Sequence, residues 1–99
     1  MDIDVFTLSA IASGVSGSVF KAILANRSMV LKDILKTLSI KGTAPKQEDI
    51  EKAIKSLEEK ALIKESQAPI ADFNTYYVTA DGLEAGRVIR KLNLARDDA

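Results

Sequence analysis

Ninety-nine residues, 46% hydrophobic and 28% charged, suffice for one hydrophobic core but not two. Acids and bases balance at 14 each, so any attraction to a polyanion must come from a local patch rather than from net charge. With neither cysteine nor histidine, the chain excludes disulfides, thiolate and imidazole metal ligands, and an imidazole general base.

The N-terminus carries Asp2 and Asp4 where a secretory signal would carry lysine or arginine. The apolar stretch over 5–20 is interrupted by Ser9, Ser13, Gly14, Ser16, Gly17 and Ser18, too short and too polar to span a bilayer. The expectation is a cytoplasmic protein without a membrane partner. Leu8, Ile11, Val15, Val19, Ile23 and Leu24 step mostly by three or four residues, which is helical spacing. Gly14 and Gly17 interrupt it. This predicts a helix near 3–13, a break, and a second helix from Ser16 or Ser18 to Asn26, capped by one of those serines. The G-x-x-G spacing of Gly14 and Gly17 reads as a helix break or close packing rather than a phosphate loop, because no basic residue adjoins it before Lys21.

Ser28 is positioned to cap a third helix over 30–39, whose apolar stripe is Leu31, Ile34, Leu35 and Leu38. Gly42 then breaks the chain. Pro45 suits the first turn of a fourth helix over 45–60 that buries Ile50, Ala53, Ile54, Leu57 and Ala61. Glu48, Lys52, Lys55 and Glu59 fall near its opposite face. Two short strands over 62–66 and 75–78 flank a loop that Pro69 keeps out of regular pairing. Tyr76 and Tyr77 should point to opposite sides of the strand. Thr79 caps the last helix, with Leu83, Val88, Ile89 and Leu92 on its apolar side, and residues 93–99 form a polar tail. The predicted order is four helices, a hairpin and a helix.

The run Leu57-Glu58-Glu59-Lys60-Ala61-Leu62-Ile63 resembles the end of the recognition helix and the first wing strand of MarR-type and PadR-type winged-helix regulators, where Leu-Glu-Glu-x-Gly-Leu-Ile is usual. Tyr77-Val78-Thr79-Ala80-Asp81-Gly82 is similar to their second wing strand and the Leu-Thr-x-x-Gly that opens the next helix. The likeness covers roughly residues 18–92. It implies a single domain of mainly α class with a small β-hairpin: a winged helix-turn-helix core at 18–92, an extra N-terminal helix within 1–17, and a tail at 93–99. By position, 30–39 would be the first helix of the helix-turn-helix, 45–60 the recognition helix and 66–75 the wing. Three features depart from the pattern. Ala61 stands where glycine is usual, the 39–44 connection is longer than a tight turn, and the wing from Ser66 to Tyr76 lacks lysine and arginine.

The resemblance implies double-stranded DNA binding and transcriptional regulation. Lys46, Gln47, Lys52 and Lys55 would contact the duplex from the recognition helix, and Lys32, Lys36 and Lys41 would hold its backbone. Charge is segregated along the chain: residues 21–46 carry Lys21, Arg27 and four further lysines against Asp33 alone. Yet Glu48, Asp49 and Glu51 occupy the first turns of the same recognition helix, where they suit its dipole and repel phosphate. The competing expectation is a winged-helix protein–protein interaction module without DNA binding, to which Ile70 and Phe73 could offer an apolar contact. No phosphate loop, dinucleotide fingerprint, nucleophile motif or metal-ligand cluster is present, so the reading is a non-enzyme without cofactor or metal. A homodimer is expected through the N-terminal segment and the last helix. Val5, Leu8, Ile11 and Val15 exceed what so small a core can cover, and Gly14 and Gly17 would admit a close backbone.

Overall fold

Asp4 opens the first helix, its carboxylate accepting from the Thr7 backbone N–H at 2.7 Å; that bond holds its carboxyl below the usual range. The computed structural model describes residues 3–39 and 45–92. Helix α1 (Val5–Ile11) gives way at Gly14, where φ is +62°, to α2 (Gly14–Asn26), and the two helices meet at a bend of 85°. Gly17 sits against the backbone of Ala12, in space that a β-carbon would occupy. The Ser16 hydroxyl donates to the Ile11 carbonyl at 2.9 Å and so satisfies the end of α1. The expected break therefore falls at Gly14, two residues or more before the expected start of α2. Neither Ser16 nor Ser18 caps that helix: Ser13 is its N-cap residue.

The chain leaves α2 through Arg27 at φ +68° and enters β1 (Ser28–Val30), which runs directly into α3 (Leu31–Ser39). Here the expected helix cap at Ser28 is corrected to a strand. β1 pairs antiparallel with β3 (Thr75–Val78), placing Ser28 opposite Tyr77 and Val30 opposite Thr75. Helix α4 (Gln47–Glu59) follows, starting after Pro45 and Lys46 rather than at Pro45. β2 (Ile63–Ser66) also pairs antiparallel with β3, so the expected hairpin is part of a three-stranded sheet ordered β1-β3-β2. A short 3-10 turn, Ala71–Phe73, lies in the β2–β3 connection. Helix α5 (Ala80–Lys91) closes the described chain, with Thr79 as the expected N-cap.

The core is built around α2, which packs against α3, α4, α5 and the sheet. Val19, Phe20 and Ile23 of α2 meet Leu31, Ile34 and Leu38 of α3, Ile50, Ile54 and Leu57 of α4, and Ala85 and Ile89 of α5 in one buried cluster. Leu8 and Ile11 belong to the same cluster, at 1% and 4% exposure. The N-terminal helix is thus part of the core, and the expectation that these two side chains lack cover is corrected. Their burial follows from the bend at Gly14, which folds α1 back onto α2 and α5. Among the described residues no single helix is long and apolar enough to cross a membrane.

The exit from α4 is a Schellman turn. Leu62 N–H donates to Leu57 O at 3.1 Å and Ala61 N–H to Glu58 O at 2.9 Å. Ala61 takes φ +58° there, so alanine holds the left-handed position at a cost of about 1–2 kcal/mol relative to glycine's freedom. The Thr79 hydroxyl donates to the Ala61 carbonyl at 2.6 Å and accepts from Gly82 N–H at 3.0 Å. Gly82 lies against the Leu62 carbonyl and the Val78 side chain, in space that a β-carbon would need. Two substitutions at this joint should act in opposite directions. Ala61→Gly should raise unfolding stability by about 0.5–1 kcal/mol, since relief of the left-handed strain exceeds the added chain entropy. Gly82→Ala should lower it by about 1–3 kcal/mol by overpacking. Urea denaturation of the two variants checks both signs.

Candidate nucleic-acid interface

Helix α4 divides cleanly between core and solvent. Ile50, Ala53, Ile54 and Leu57 are buried, while Gln47, Lys52 and Lys55 are exposed and Lys46 stands exposed at the N-cap. The division is the helical period applied to this sequence, since positions 50, 53, 54 and 57 share one face and 52 and 55 lie off it. Lys32 and Lys36 are exposed on α3, as expected from their place off the Leu31/Ile34/Leu38 stripe. Lys41 lies outside the described residues.

Acids are interleaved with these lysines. Glu48 and Asp49 occupy the first turn of α4 and Glu51 follows, all exposed. Lys52 Nζ lies 3.3 Å from Glu48 Oε1, an exposed i,i+4 pair. Such a pair contributes about 0.2–0.5 kcal/mol, so a stronger anion can draw the ammonium away. The β2–β3 connection contains no basic residue. It is shaped by Ala68 N–H donating to Asn74 Oδ1 at 2.8 Å, and it exposes Ile70 and Phe73 at 59% and 50%. Neither side chain folds back into the core. Lys32 Nζ sits 6.0 Å from the Phe73 ring centroid, which ties α3 to this loop by a cation–π contact.

Other cations stand out in three dimensions. Lys64 is exposed on β2 opposite Tyr77, at the base of the hairpin, and alternation along the strand would have pointed to it. Lys21 and Arg27, counted in the same basic segment as Lys32 and Lys36, lie instead with Arg87 and Arg90 along a groove between α2 and α5. No linear charge count could have separated them.

Tyr76 and Tyr77 face opposite sides, as the alternation requires, and it is Tyr76 that points inward, at 6% exposure against 40% for Tyr77. Burial and the Glu65 carboxylate, paired across the strands with Tyr76, push the Tyr76 hydroxyl up to about 12. Glu58 at the end of α4 is raised as well, by burial and by Glu65.

No protein-family model matches the chain. No curated protein matches it in sequence. Among solved structures, the chain is similar to the crystal structure of the diamide-treated YodB from B. subtilis, with a TM-score of 0.72 and 15% identity over 94% of this chain and 91% of that one. At this identity the likeness is one of fold: a mainly helical domain carrying a small antiparallel sheet.

The Tyr76 hydroxyl sets an alkaline limit to stability. A tyrosine in the unfolded chain ionises near 10, whereas in the fold it stays neutral to about 12. The unfolded state therefore loses its proton first, and stability present below about 10 is lost as pH rises toward 12. Urea midpoints at about pH 8 and about pH 11 should fall more for the wild type than for Tyr76→Phe.

Proposed function

We propose that this chain is a winged helix-turn-helix domain that binds double-stranded DNA and acts as a transcriptional regulator. In this reading α3 and α4 form the helix-turn-helix, α4 is the reading helix, and the β2–β3 hairpin is the wing. The observation that carries it is the division of α4, whose apolar face is spent on the core while Lys46, Gln47, Lys52 and Lys55 all remain outside. Gln47 has the donor and acceptor pair that matches an adenine edge, and the lysines match phosphates or guanine. Lys32 and Lys36 on α3 add backbone contacts, with Lys41 between the two helices in sequence. Glu48 and Asp49 are accommodated by the helix dipole, and the exposed Glu48–Lys52 pair is weak enough for a phosphate to displace.

A second reading is favoured by the wing. Its connection lacks a basic residue and exposes Ile70 and Phe73, which suits an apolar protein partner better than a phosphate backbone. The two readings separate in a duplex titration at two salt concentrations. DNA binding through phosphates weakens steeply with salt, and absence of binding to a mixed duplex pool at low salt would leave only the protein module. If duplex is bound, the Lys52→Ala, Lys55→Ala double variant should weaken it and reduce the log–log salt slope by about 2, one contact per lysine. Glu59→Ala should leave affinity unchanged. Wild-type affinity in the double variant would remove α4 as the reader.

The proposed assembly is a homodimer, since twofold symmetry matches paired half-sites. Leu8 and Ile11 are committed to the core, which leaves Val5 and Phe6, exposed at 53% and 85%, as the contacts on α1. Helix α1 packs beside α5, whose end is followed by Leu92, exposed at 50%. Sedimentation equilibrium should give a mass near twice 10.7 kDa for the wild type and a monomer for Phe6→Glu. A monomeric wild type at high concentration would refute the dimer.

A further inference from the structure

Helices α2 and α5 enclose an open groove of about 560 Å³. Its floor is apolar, built from Leu24 and Ala25 of α2 and Leu83 of α5. Gly86 sets the depth, because a β-carbon there would fall 2.9 Å from Leu24 Cδ1. Its rims are cationic: Lys21 and Arg27 on one side, Arg87 and Arg90 on the other. Among the described residues, none of those lining it is acidic, and Arg27, Arg87 and Arg90 are all exposed. Each wall follows helical spacing, positions 21, 24 and 25 on α2 and 83, 86, 87 and 90 on α5, so the groove runs along both helices as a continuous seam.

We propose that this groove docks an acidic amphipathic helix of a partner protein. Apolar side chains of that helix would lie on Leu24 and Leu83, and its carboxylates would meet a rim on either side. Charge complementarity selects an acidic occupant, and the floor selects among acidic ones. A nucleic-acid backbone gains nothing from the leucines, whereas an amphipathic helix gains from both features. A small enclosed ligand fits less well. Such sites use a few buried, convergent polar groups to fix orientation, whereas the charged side chains lining this groove are all exposed. Leu83 is 43% exposed across the groove from Leu24, which is partly buried against the core, and such apolar surface is the kind a partner covers. The inference does not depend on DNA binding, because no residue of α3 or α4 lines the groove.

The test uses the full chain and a labelled peptide of about 15 residues, with leucines at i, i+3, i+4 and i+7 and glutamates between them. A peptide of the same composition in scrambled order is the control. Binding is read by fluorescence anisotropy and its location by backbone amide shifts. The patterned peptide should bind at least about tenfold more tightly than the scrambled one and move amides of α2 and α5. Arg87→Glu with Arg90→Glu should weaken it by about tenfold or more, and Leu83→Glu should do the same. Equal affinity for both peptides would overturn the proposal, as would shifts confined to α3 and α4. Shifts at residues 83–90 that grow with protein concentration alone would assign the face to a second copy. Movement of the same amides by duplex DNA would assign it to nucleic acid. The amide shifts are read on the unaltered chain, so they decide the matter even if a variant unfolds. A chain that binds the patterned peptide but no duplex keeps this inference and loses only the DNA reading.

Discussion

The hydroxyl of Thr79 is the joint on which the rest of the structure depends. It donates to the Ala61 carbonyl, the last turn out of α4, and accepts from Gly82 N–H, the first turn of α5. The Thr79 backbone N–H donates to Leu62 O at 3.0 Å, so the same residue also pins the start of β2. One threonine thus couples the end of α4, the entry to the sheet and the launch of α5. Gly82 is required for this closeness, and Ala61 accepts a left-handed backbone to complete it. The direction in which α4 presents its lysines is set here, because the joint fixes how that helix leaves toward the hairpin.

Helix α2 distributes the consequences. Its buried face carries Val19, Phe20 and Ile23 into the contact with α3 and α4, while Lys21, Leu24 and Ala25 turn toward α5. Two surfaces result on a chain with no net charge. One is the outer side of α3 and α4, where lysines are interleaved with Glu48, Asp49 and Glu51. The other is the α2–α5 groove, where Arg27, Arg87 and Arg90 are exposed and, among the described residues, none of the lining side chains is acidic. The more uniformly positive of the two is the one lined with leucine. The two surfaces share no lining residue, because none of the groove's residues lies on α3 or α4.

Burial of the N-terminal helix limits what can serve an assembly. Gly17, which could have admitted a second chain, is already occupied by the Ala12 backbone, and Leu8 and Ile11 complete the core. On this side of the molecule the exposed large apolar side chains are Val5 and Phe6 on α1 and Leu83 and Leu92 at α5.

Local chemistry made much of this legible from the residues in order. The i, i+3, i+4 pattern of Ile50, Ala53, Ile54 and Leu57 determined which face of α4 is buried, and so which lysines are outside. Thr79 three residues before Gly82 determined the cap of α5, and alternation determined that Tyr76 and Tyr77 face opposite sides, while packing decided that Tyr76 is the buried one. Each of these is set by neighbours within one turn or one strand residue. Strand β1 was not legible, because three residues become a strand only through pairing with Tyr76 and Tyr77, far along the chain. The burial of Leu8 and Ile11 depended on the 85° bend at Gly14, which a periodicity cannot supply. The division of the basic segment was likewise decided only in three dimensions. Lys21 and Arg27 joined Arg87 and Arg90, while Lys32 and Lys36 stayed on α3, because packing chooses which face of α2 meets α5 and charge along the chain does not.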